Sequence, residues 1–195
     1  IAAFETGLMN PQNWRATWIS GPLPKDSASA DIPNPLLRKS FSVDKKIISA
    51  RVYATALGSY YLYINGKRIG KDILDPGWTD YSKTVIYQTY DVTNFLQNGK
   101  NAIGVLLGKG WYGGGLGWTK AAYNFGASPI RLLLQLRIDY ADHTSQWIIS
   151  DNSWKTAPSP VIDATIYDGE IYDAAKEIPG WDKPYFNDNN WSAVN

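Results

Sequence analysis

The chain has 195 residues, of which 44% are hydrophobic, and carries 19 lysines and arginines against 18 aspartates and glutamates. This length suits one domain or at most two, and the apolar content is sufficient for a folded core. The balanced charge argues against nucleic acid as the main partner and against a polybasic membrane patch, because both need a cationic excess, and no apolar run is long enough to span a membrane.

The start of the sequence is not typical of a signal peptide. Glu5 interrupts the apolar residues, and no basic region precedes them. We expect residues 1–15 to be the tail of a preceding domain or a linker strand, residues 16–195 to form a single β-sandwich domain, and the chain to be a piece of a longer protein. The absence of cysteine excludes disulfides and cysteine-ligated zinc but leaves the compartment open, whether cytoplasmic, periplasmic or extracellular.

The first half of the chain reads as strands, because apolar and polar residues alternate there between turn signals. A surface loop is predicted at 20–34, followed by strands at 36–43 and 47–57. The second strand should bury one face, made of Ile48, Ala50, Val52, Ala54 and Ala56.

A hairpin is the clearest local signal. Asn65-Gly66 fits a two-residue type I′ turn, so 60–64 and 67–69 should pair. A strand is expected at 85–92. A short helical turn should follow, capped by Asp91 or Thr93 and ended by Gly99.

The second half continues the same pattern. Strands are predicted at 102–108 and 128–140, and a turn containing His143 leads into a returning strand. Two D/N-x-x-W stretches, which contain Trp154 and Trp191, should each fix a turn and bury the indole ring. Because turns recur about every 8–12 residues without strand–helix alternation, the sequence predicts an all-β fold, an antiparallel β-sandwich or jelly roll.

Tryptophan and tyrosine dominate the aromatic residues, with 9 Trp and 13 Tyr against 5 Phe. Such side chains suit sugar stacking and interfaces, but they also build the corners of small sandwiches. The stretch GWYGGGLGW lacks the ending of a phosphate loop. Its aromatics, Trp111, Tyr112 and Trp118, either project as a platform for a sugar or a neighbouring domain, or fold back to cap one end of the sandwich.

Carboxylates offer the remaining chemistry. Asp168 and Glu170 flank Gly169, with Asp163 and Asp173 nearby. Such a cluster could supply the two carboxylates of a glycosidase, bind Ca²⁺, or be solvated. A single histidine and the lack of G-x-S-x-G argue against a serine hydrolase. The candidate carbohydrate-binding residues are Trp78, Asp80, Trp111, Tyr112, Asp168 and Glu170.

Several stretches, in order and over nearly the whole chain, resemble the N-terminal β-sandwich module of bacterial α-L-rhamnosidases of glycoside hydrolase family 78. They are FETGL, PLLRKSF, ARVYATALGSYYLYINGKRIG, LDPGWTDY, NAIGVLLGKGWY and YDGEIYDA. The resemblance implies a galactose-binding-like jelly roll that precedes a second β-domain and an (α/α)6 barrel. In the family the barrel carries the acidic catalytic residues and releases terminal L-rhamnose with inversion, so this chain should contain no catalytic residue of its own.

In some relatives this module is itself a calcium-dependent rhamnose-binding module. There an Asp-Asn pair directly follows the PGW-T-x-Y motif, and a tryptophan lies on a nearby strand. Here the resemblance puts Ser82, Lys83 and Val105 at those positions. Because Lys83 would place a cation where Ca²⁺ should sit, calcium is doubtful here, and no cofactor is expected.

Two functions follow as expectations. The first is a non-catalytic accessory module of an α-L-rhamnosidase that packs on the other domains of the same polypeptide through exposed aromatic residues. The alternative is an independent module that binds L-rhamnose or a rhamnose-containing glycan. A self-contained glycosidase is a third option.

Overall fold

The computed structural model describes residues 6–22, 34–115 and 129–195. A single α-helical turn in these residues, α1, spans Gly110–Gly113, and 3₁₀ turns span Pro11–Asn13, Thr93–Phe95 and Ala174–Lys176. The strands are β1 Pro35–Val43, β2 Ile47–Leu57, β3 Ser59–Ile64, β4 Lys67–Ile69, β5 Gln88–Asp91, β6 Gly99–Gly108, β7 Arg131–Tyr140, β8 Ser145–Ile149, β9 Lys155–Pro158, β10 Val161–Thr165, β11 Gly169–Tyr172 and β12 Ser192–Ala193.

Two antiparallel sheets enclose the core. The larger has six strands in the order β12-β9-β1-β6-β3-β4, and the smaller has four in the order β5-β2-β7-β8. A single cluster of buried apolar side chains draws on both sheets. The predicted antiparallel β-sandwich is therefore confirmed.

The core follows the two-residue period of the strands, in which alternate side chains face one side of a sheet. On β2, the buried Val52 lies beside Leu136 of β7, and the small side chain of Ala54 lies beside Leu134. Pairing small with large residues lets the inner face of the smaller sheet fill the interior closely.

The predicted apolar face of β2 is correct except at Ile48. A register shift between Ile47 and Ser49 interrupts the pairing with β7. As a result Ile47 packs against the core, whereas Ile48 is 59% exposed. A bulge adds one residue to a strand and so reverses the faces on either side of it, which alternation in a sequence does not reveal.

The predicted hairpin is confirmed. β3 and β4 pair through Asn65 and Gly66, whose φ angles of 52° and 81° match a type I′ turn. The Asn65 side chain accepts a hydrogen bond from the Ala102 amide at 2.9 Å and donates to the Phe95 carbonyl at 2.9 Å. The turn is thereby fixed to the neighbouring strand and loop.

Other predicted elements differ at their ends. The strand expected at 85–92 is limited to β5, and the Gly-rich stretch begins with the helical turn α1 instead of an open loop. The predicted loop at 20–34 lies mostly outside the described residues, as do Trp118 and Phe4. No helix in the described part of the chain has the length and apolar character to cross a membrane.

A C-terminal strap, residues 180–191, crosses the outer face of the six-stranded sheet. Trp181 packs edge-on against Tyr63 of β3 at 5.6 Å, and its ring lies against Gly104 of β6. Trp191 stacks beside Trp181 at 6.4 Å. The buried guanidinium of Arg38 on β1 donates hydrogen bonds to two backbone carbonyls of the strap.

The N-terminal residues cover the outer face of the smaller sheet. The buried Gln135 of β7 accepts a hydrogen bond from the Arg15 amide at 2.8 Å and donates to the Asn13 carbonyl at 3.1 Å. Trp14 meets Tyr87 edge-on at 5.6 Å. The expectation that residues 1–15 belong to a preceding domain or linker stays a prediction.

Both D/N-x-x-W stretches form the expected turns. The Asp151 carboxylate accepts the Ser153 amide at 2.9 Å, and the Asn187 side chain accepts the Asn189 amide at 3.1 Å. Trp154 is then fully buried in the core. Trp191 instead packs within the strap, so the same local motif supplies a core residue once and a surface cover once.

Candidate functional site

One end of the sandwich gathers four aromatic side chains. The pairing of Ser59 with Gly108 brings the start of β3 and the end of β6 together, so the loop after β4 and helix α1 meet there. Trp78 and Trp111 stack at 5.0 Å with their planes 10° apart, and Tyr81 meets Tyr112 edge-on at 5.3 Å. We call Trp78, Tyr81, Trp111 and Tyr112 the aromatic cluster.

A buried polar network holds the loop that carries Trp78. The Tyr60 hydroxyl lies 2.9 Å from that of Tyr90, which donates to the Asp75 carboxylate at 2.8 Å. Gln88 donates to the other Asp75 oxygen at 3.3 Å, and the Tyr60 amide donates to the Asp75 carbonyl at 3.2 Å. The members of this network belong to three different elements, so their proximity could not be predicted from the sequence.

Asp80 is held by its own loop. Its carboxylate accepts hydrogen bonds from the Ser82 hydroxyl at 2.5 Å and from the Lys83 ammonium at 2.9 Å. These bonds, first from Ser82 and then from Lys83, lower the pKa of Asp80. The Ser82 hydroxyl thus bonds to one oxygen of the Asp80 carboxylate and the Lys83 ammonium to the other.

The acidic residues around Gly169 lie on a ribbon formed by β10 and β11. Asp163 connects the ribbon to the start of α1, because its carboxylate pairs with the ammonium of Lys109 at 2.5 Å. Asp168 accepts the Thr165 hydroxyl at 3.0 Å inside the turn. Glu170 projects into solvent, and the described part of the chain gives it no hydrogen-bond or ion-pair partner.

The six candidate carbohydrate-binding residues thus separate by environment. Trp78 and Trp111 form one stack, in which Trp78 remains 50% exposed. Tyr112 is buried and meets Tyr81 edge-on. The carboxylates of Asp80 and Asp168 accept hydrogen bonds from neighbouring side chains of their own loops, whereas the carboxylate of Glu170 is exposed to solvent.

The described ranges contain no group of three or more His, Asp or Glu side chains that could hold a metal ion. His143 lies in the turn between β7 and β8 with φ of 63°. Hydrogen bonds, from Ser82 to Asp80 and from Thr93 to Asp91, lower the pKa of these two carboxyls, whereas a general acid needs a raised pKa.

Two open grooves lie elsewhere on the surface. One, of about 400 Å³, runs between residues 44–47 and 93–98, and the other, of about 440 Å³, lies beside residues 179–186 of the strap region. Neither is lined by a candidate carbohydrate-binding residue.

Comparison with known proteins gives a consistent result. A family model described as the α-L-rhamnosidase N-terminal domain matches residues 45–195. An α-L-rhamnosidase of Streptomyces avermitilis is 44% identical over 179 residues, which are 92% of this chain but 17% of that protein. The chain therefore spans about a fifth of the length of the curated relatives it matches.

Solved structures agree. The native α-L-rhamnosidase of Aspergillus terreus superposes with a TM-score of 0.92 at 40% identity, over 98% of this chain and 22% of that one. The Streptomyces avermitilis α-L-rhamnosidase in complex with L-rhamnose gives a TM-score of 0.81 at 44% identity, over 85% of this chain and 16% of that one.

Proposed function

The chain belongs to the α-L-rhamnosidase N-terminal domain family, and we propose on that ground that it is a non-catalytic accessory domain of a larger enzyme. That enzyme would release terminal L-rhamnose from glycans or glycosides. The observation that carries the proposal is the coverage: nearly all of this chain matches 16–22% of proteins that are named α-L-rhamnosidases.

The chemistry of the described residues supports an accessory role. A glycosidase needs two carboxyl groups across the scissile bond, one of them with a raised pKa. Asp163 is instead paired with Lys109 and Asp168 is held in its turn by Thr165, while Glu170 is exposed to solvent without a second carboxylate facing it across a cleft in the described residues. Catalysis would then belong to the rest of the longer polypeptide.

Hydrolysis of a nitrophenyl α-L-rhamnoside tests the proposal. The longer polypeptide that carries this chain should hydrolyse it, and the 195-residue chain alone should not. Release of nitrophenol by the chain alone, abolished by Asp168→Asn or Glu170→Gln, would overturn the accessory role. A longer polypeptide without activity on any rhamnoside would overturn the enzyme class.

L-Rhamnose binding is a second candidate function, and the half-exposed Trp78 ring stacked on Trp111 is the observation that favours it. Titration of the chain with L-rhamnose, followed by tryptophan fluorescence with and without Ca²⁺, tests it. A module of this kind should give a saturable response that Trp78→Ala abolishes and Trp147→Ala preserves. Since the Lys83 ammonium pairs with the Asp80 carboxylate, Ca²⁺ should not change the fluorescence response to L-rhamnose. No response at tens of millimolar sugar would exclude this function.

A further inference from the structure

The ribbon differs from every other pair of strands in the described residues. β10 and β11 pair with each other and belong to neither sheet. Its base is anchored, because Val161 is buried and its carbonyl accepts the Asn34 amide at 3.0 Å. Beyond the base, the ion pair of Asp163 with Lys109 connects the ribbon to α1.

The outer strand of the ribbon is exposed along its whole length. All four residues of β11 are exposed, and Ile171 is 62% exposed. Tyr167 in the turn and Tyr172 at the end of β11 are also exposed. A two-stranded ribbon is marginally stable in water by itself, and an uncovered strand edge invites pairing with another chain.

The ribbon is also acidic, although the whole chain has a formal net charge of +1. Residues 161–177 hold five carboxylates and one lysine. Within the described ranges, Asp163 pairs with Lys109 and Asp173 with Lys176. Asp168 and Glu170 have no described cation beside them, so the tip combines negative charge with exposed apolar side chains.

We propose that the ribbon is the surface by which this domain docks on another domain of the same polypeptide. The complementary surface has an apolar pocket for Ile171 and a cationic rim that faces Asp168 and Glu170. Aromatic and aliphatic side chains at the centre with charged groups at the rim are the usual composition of such interfaces. This inference rests on the proposed function, because it takes the remaining domains of the enzyme as the partner.

The choice of occupant follows from two observations. Relatives of this family are about five times as long as the part that matches this chain, so a covalently linked partner is always present at high effective concentration. In addition, Lys109, which pairs with the ribbon, lies two residues before Trp111. The stacked Trp78 and Trp111 therefore add apolar surface at the same end of the molecule as the ribbon.

Ile171→Asp, made both in the longer polypeptide and in the 195-residue chain, tests the proposal. In the longer polypeptide it should lower the midpoint of thermal unfolding, because a carboxylate would enter the apolar contact. In the chain alone it should leave the midpoint unchanged, since the side chain is already in water. Ile48→Asp is the matched control, being an exposed isoleucine on a strand of the smaller sheet, and should have the same small effect in both proteins.

Hydrogen exchange gives a second measurement. The amides of β11 should exchange at least about tenfold more slowly in the longer polypeptide than in the chain alone. Ile171→Asp should restore fast exchange, and Glu170→Lys should do so partially, with an effect that weakens at high salt.

Several outcomes would overturn the inference. They are equal effects of Ile171→Asp in both proteins, unchanged exchange of β11, dimerisation of the chain through the ribbon in sedimentation velocity, and protection of the ribbon by L-rhamnose. These results are independent of rhamnoside hydrolysis, so an active longer enzyme with an unprotected ribbon would refute the docking surface alone.

Discussion

Arg38 lies on the outer face of β1 with its side chain fully buried. Its guanidinium donates to the Trp181 carbonyl at 2.7 Å, to the Lys183 carbonyl at 2.8 Å, and to the Asp188 carboxylate. Desolvation by burial lowers the pKa of Arg38, and the charge of Asp188 opposes that shift. The planar fork of arginine suits this task because it can reach several acceptors of one segment at fixed angles.

Arg38→Leu should therefore destabilise the domain by about 2–4 kcal/mol, because it leaves the Trp181 and Lys183 carbonyls without their donor and Asp188 with Lys155 as its remaining ion-pair partner. Arg38→Lys keeps the charge but not the planar guanidinium, so its free energy of unfolding should lie between those of the wild type and Arg38→Leu. Urea unfolding measures both. Arg137→Leu is the control, since Arg137 pairs with Asp139 near the surface and should cost less than about 1 kcal/mol. Equal costs at the two positions would contradict this role of Arg38.

Tyr60 and Tyr90 form the other residue-scale network. Burial raises the pKa of both phenols. The folded-state pKa of each phenol lies above the unfolded value of about 10. Their contribution to the free energy of unfolding is therefore fully present below about pH 10. It is lost as the pH rises further, because the unfolded chain gives up its phenolic protons first. The domain should therefore lose stability on the alkaline side.

Tyr90→Phe should cost about 1–3 kcal/mol, since Asp75 would keep only the weak bond from Gln88. It should also reduce the loss of stability above about pH 10. Urea titrations at neutral and alkaline pH measure both effects, with the exposed Tyr185→Phe as control. A Tyr90→Phe protein with the wild-type alkaline profile would show that the network does not carry the effect.

At the scale of elements, β6 and the strap depend on a single glycine. A Cβ placed on Gly104 would lie 2.6 Å from the ring of Trp181. Real Cβ atoms do not make such a contact, so glycine at this position permits the Trp181 ring to approach the sheet closely. Arg38 and Gly104 thus act on the same segment, one by hydrogen bonds and the other by leaving room.

Gly104→Ala should displace Trp181 and cost about 1–3 kcal/mol. In a Trp181→Ala background the same change should be nearly neutral, which gives a double-mutant interaction energy of about 1 kcal/mol or more. Near-ultraviolet circular dichroism reports the displaced indole. If the losses in free energy of unfolding of the two single substitutions were additive, the close steric contact between Trp181 and position 104 would be contradicted.

Sequence reasoning succeeded where local chemistry decides structure. The β3–β4 hairpin follows from Asn65-Gly66, and the buried Trp154 follows from its Asx turn. It failed at Ile48, because a bulge leaves no mark on alternation. The strap was also missed: Arg38 looks like a surface residue of a strand until residues 180–191, far away in sequence, cover it.

The same limit applies to the aromatic cluster. The sequence left open whether Trp111 and its aromatic neighbours project as a platform or cap one end of the sandwich, because the stacking of Trp78 on Trp111 depends on how β3 pairs with β6 and on which loops then meet. The ion pair of Lys109 with Asp163 is equally non-local. The candidate side chains could be chosen from the sequence, whereas the contacts between them depend on the fold.

At the scale of the whole molecule, one core is covered on both sides. The strap lies on the outside of the larger sheet, and residues 13–17 lie on the outside of the smaller one, where Thr17 bonds to Ser150 at 2.9 Å. The Ser20 amide donates to the Asn195 carbonyl at 2.9 Å and the Asn195 amide to the Ser20 carbonyl at 3.0 Å. These contacts join the chain just after residues 13–17 to the chain just after the strap.

The 195-residue chain should accordingly unfold in one cooperative transition. Far-ultraviolet circular dichroism, which follows the strands, and tryptophan fluorescence, which follows the strap and aromatic cluster, should give coincident urea curves. If fluorescence changed at lower urea than the strands, the strap would be a separate unit that opens before the core.

The type I′ turn at Asn65-Gly66 also bears on how the protein ages. Asn-Gly is the dipeptide most prone to deamidation, which requires the glycine nitrogen to attack the asparagine side-chain carbonyl. Here the Gly66 amide donates to the Asp182 carbonyl at 3.1 Å, and both ends of the Asn65 amide are engaged, by Ala102 and by Phe95 and Asn101. The folded protein should keep Asn65 intact during prolonged incubation, and conversion to aspartate, read by peptide mass spectrometry, should occur only as fast as the strap and turn open. The rate of deamidation at Asn65 should thus report how often the strap and this turn open.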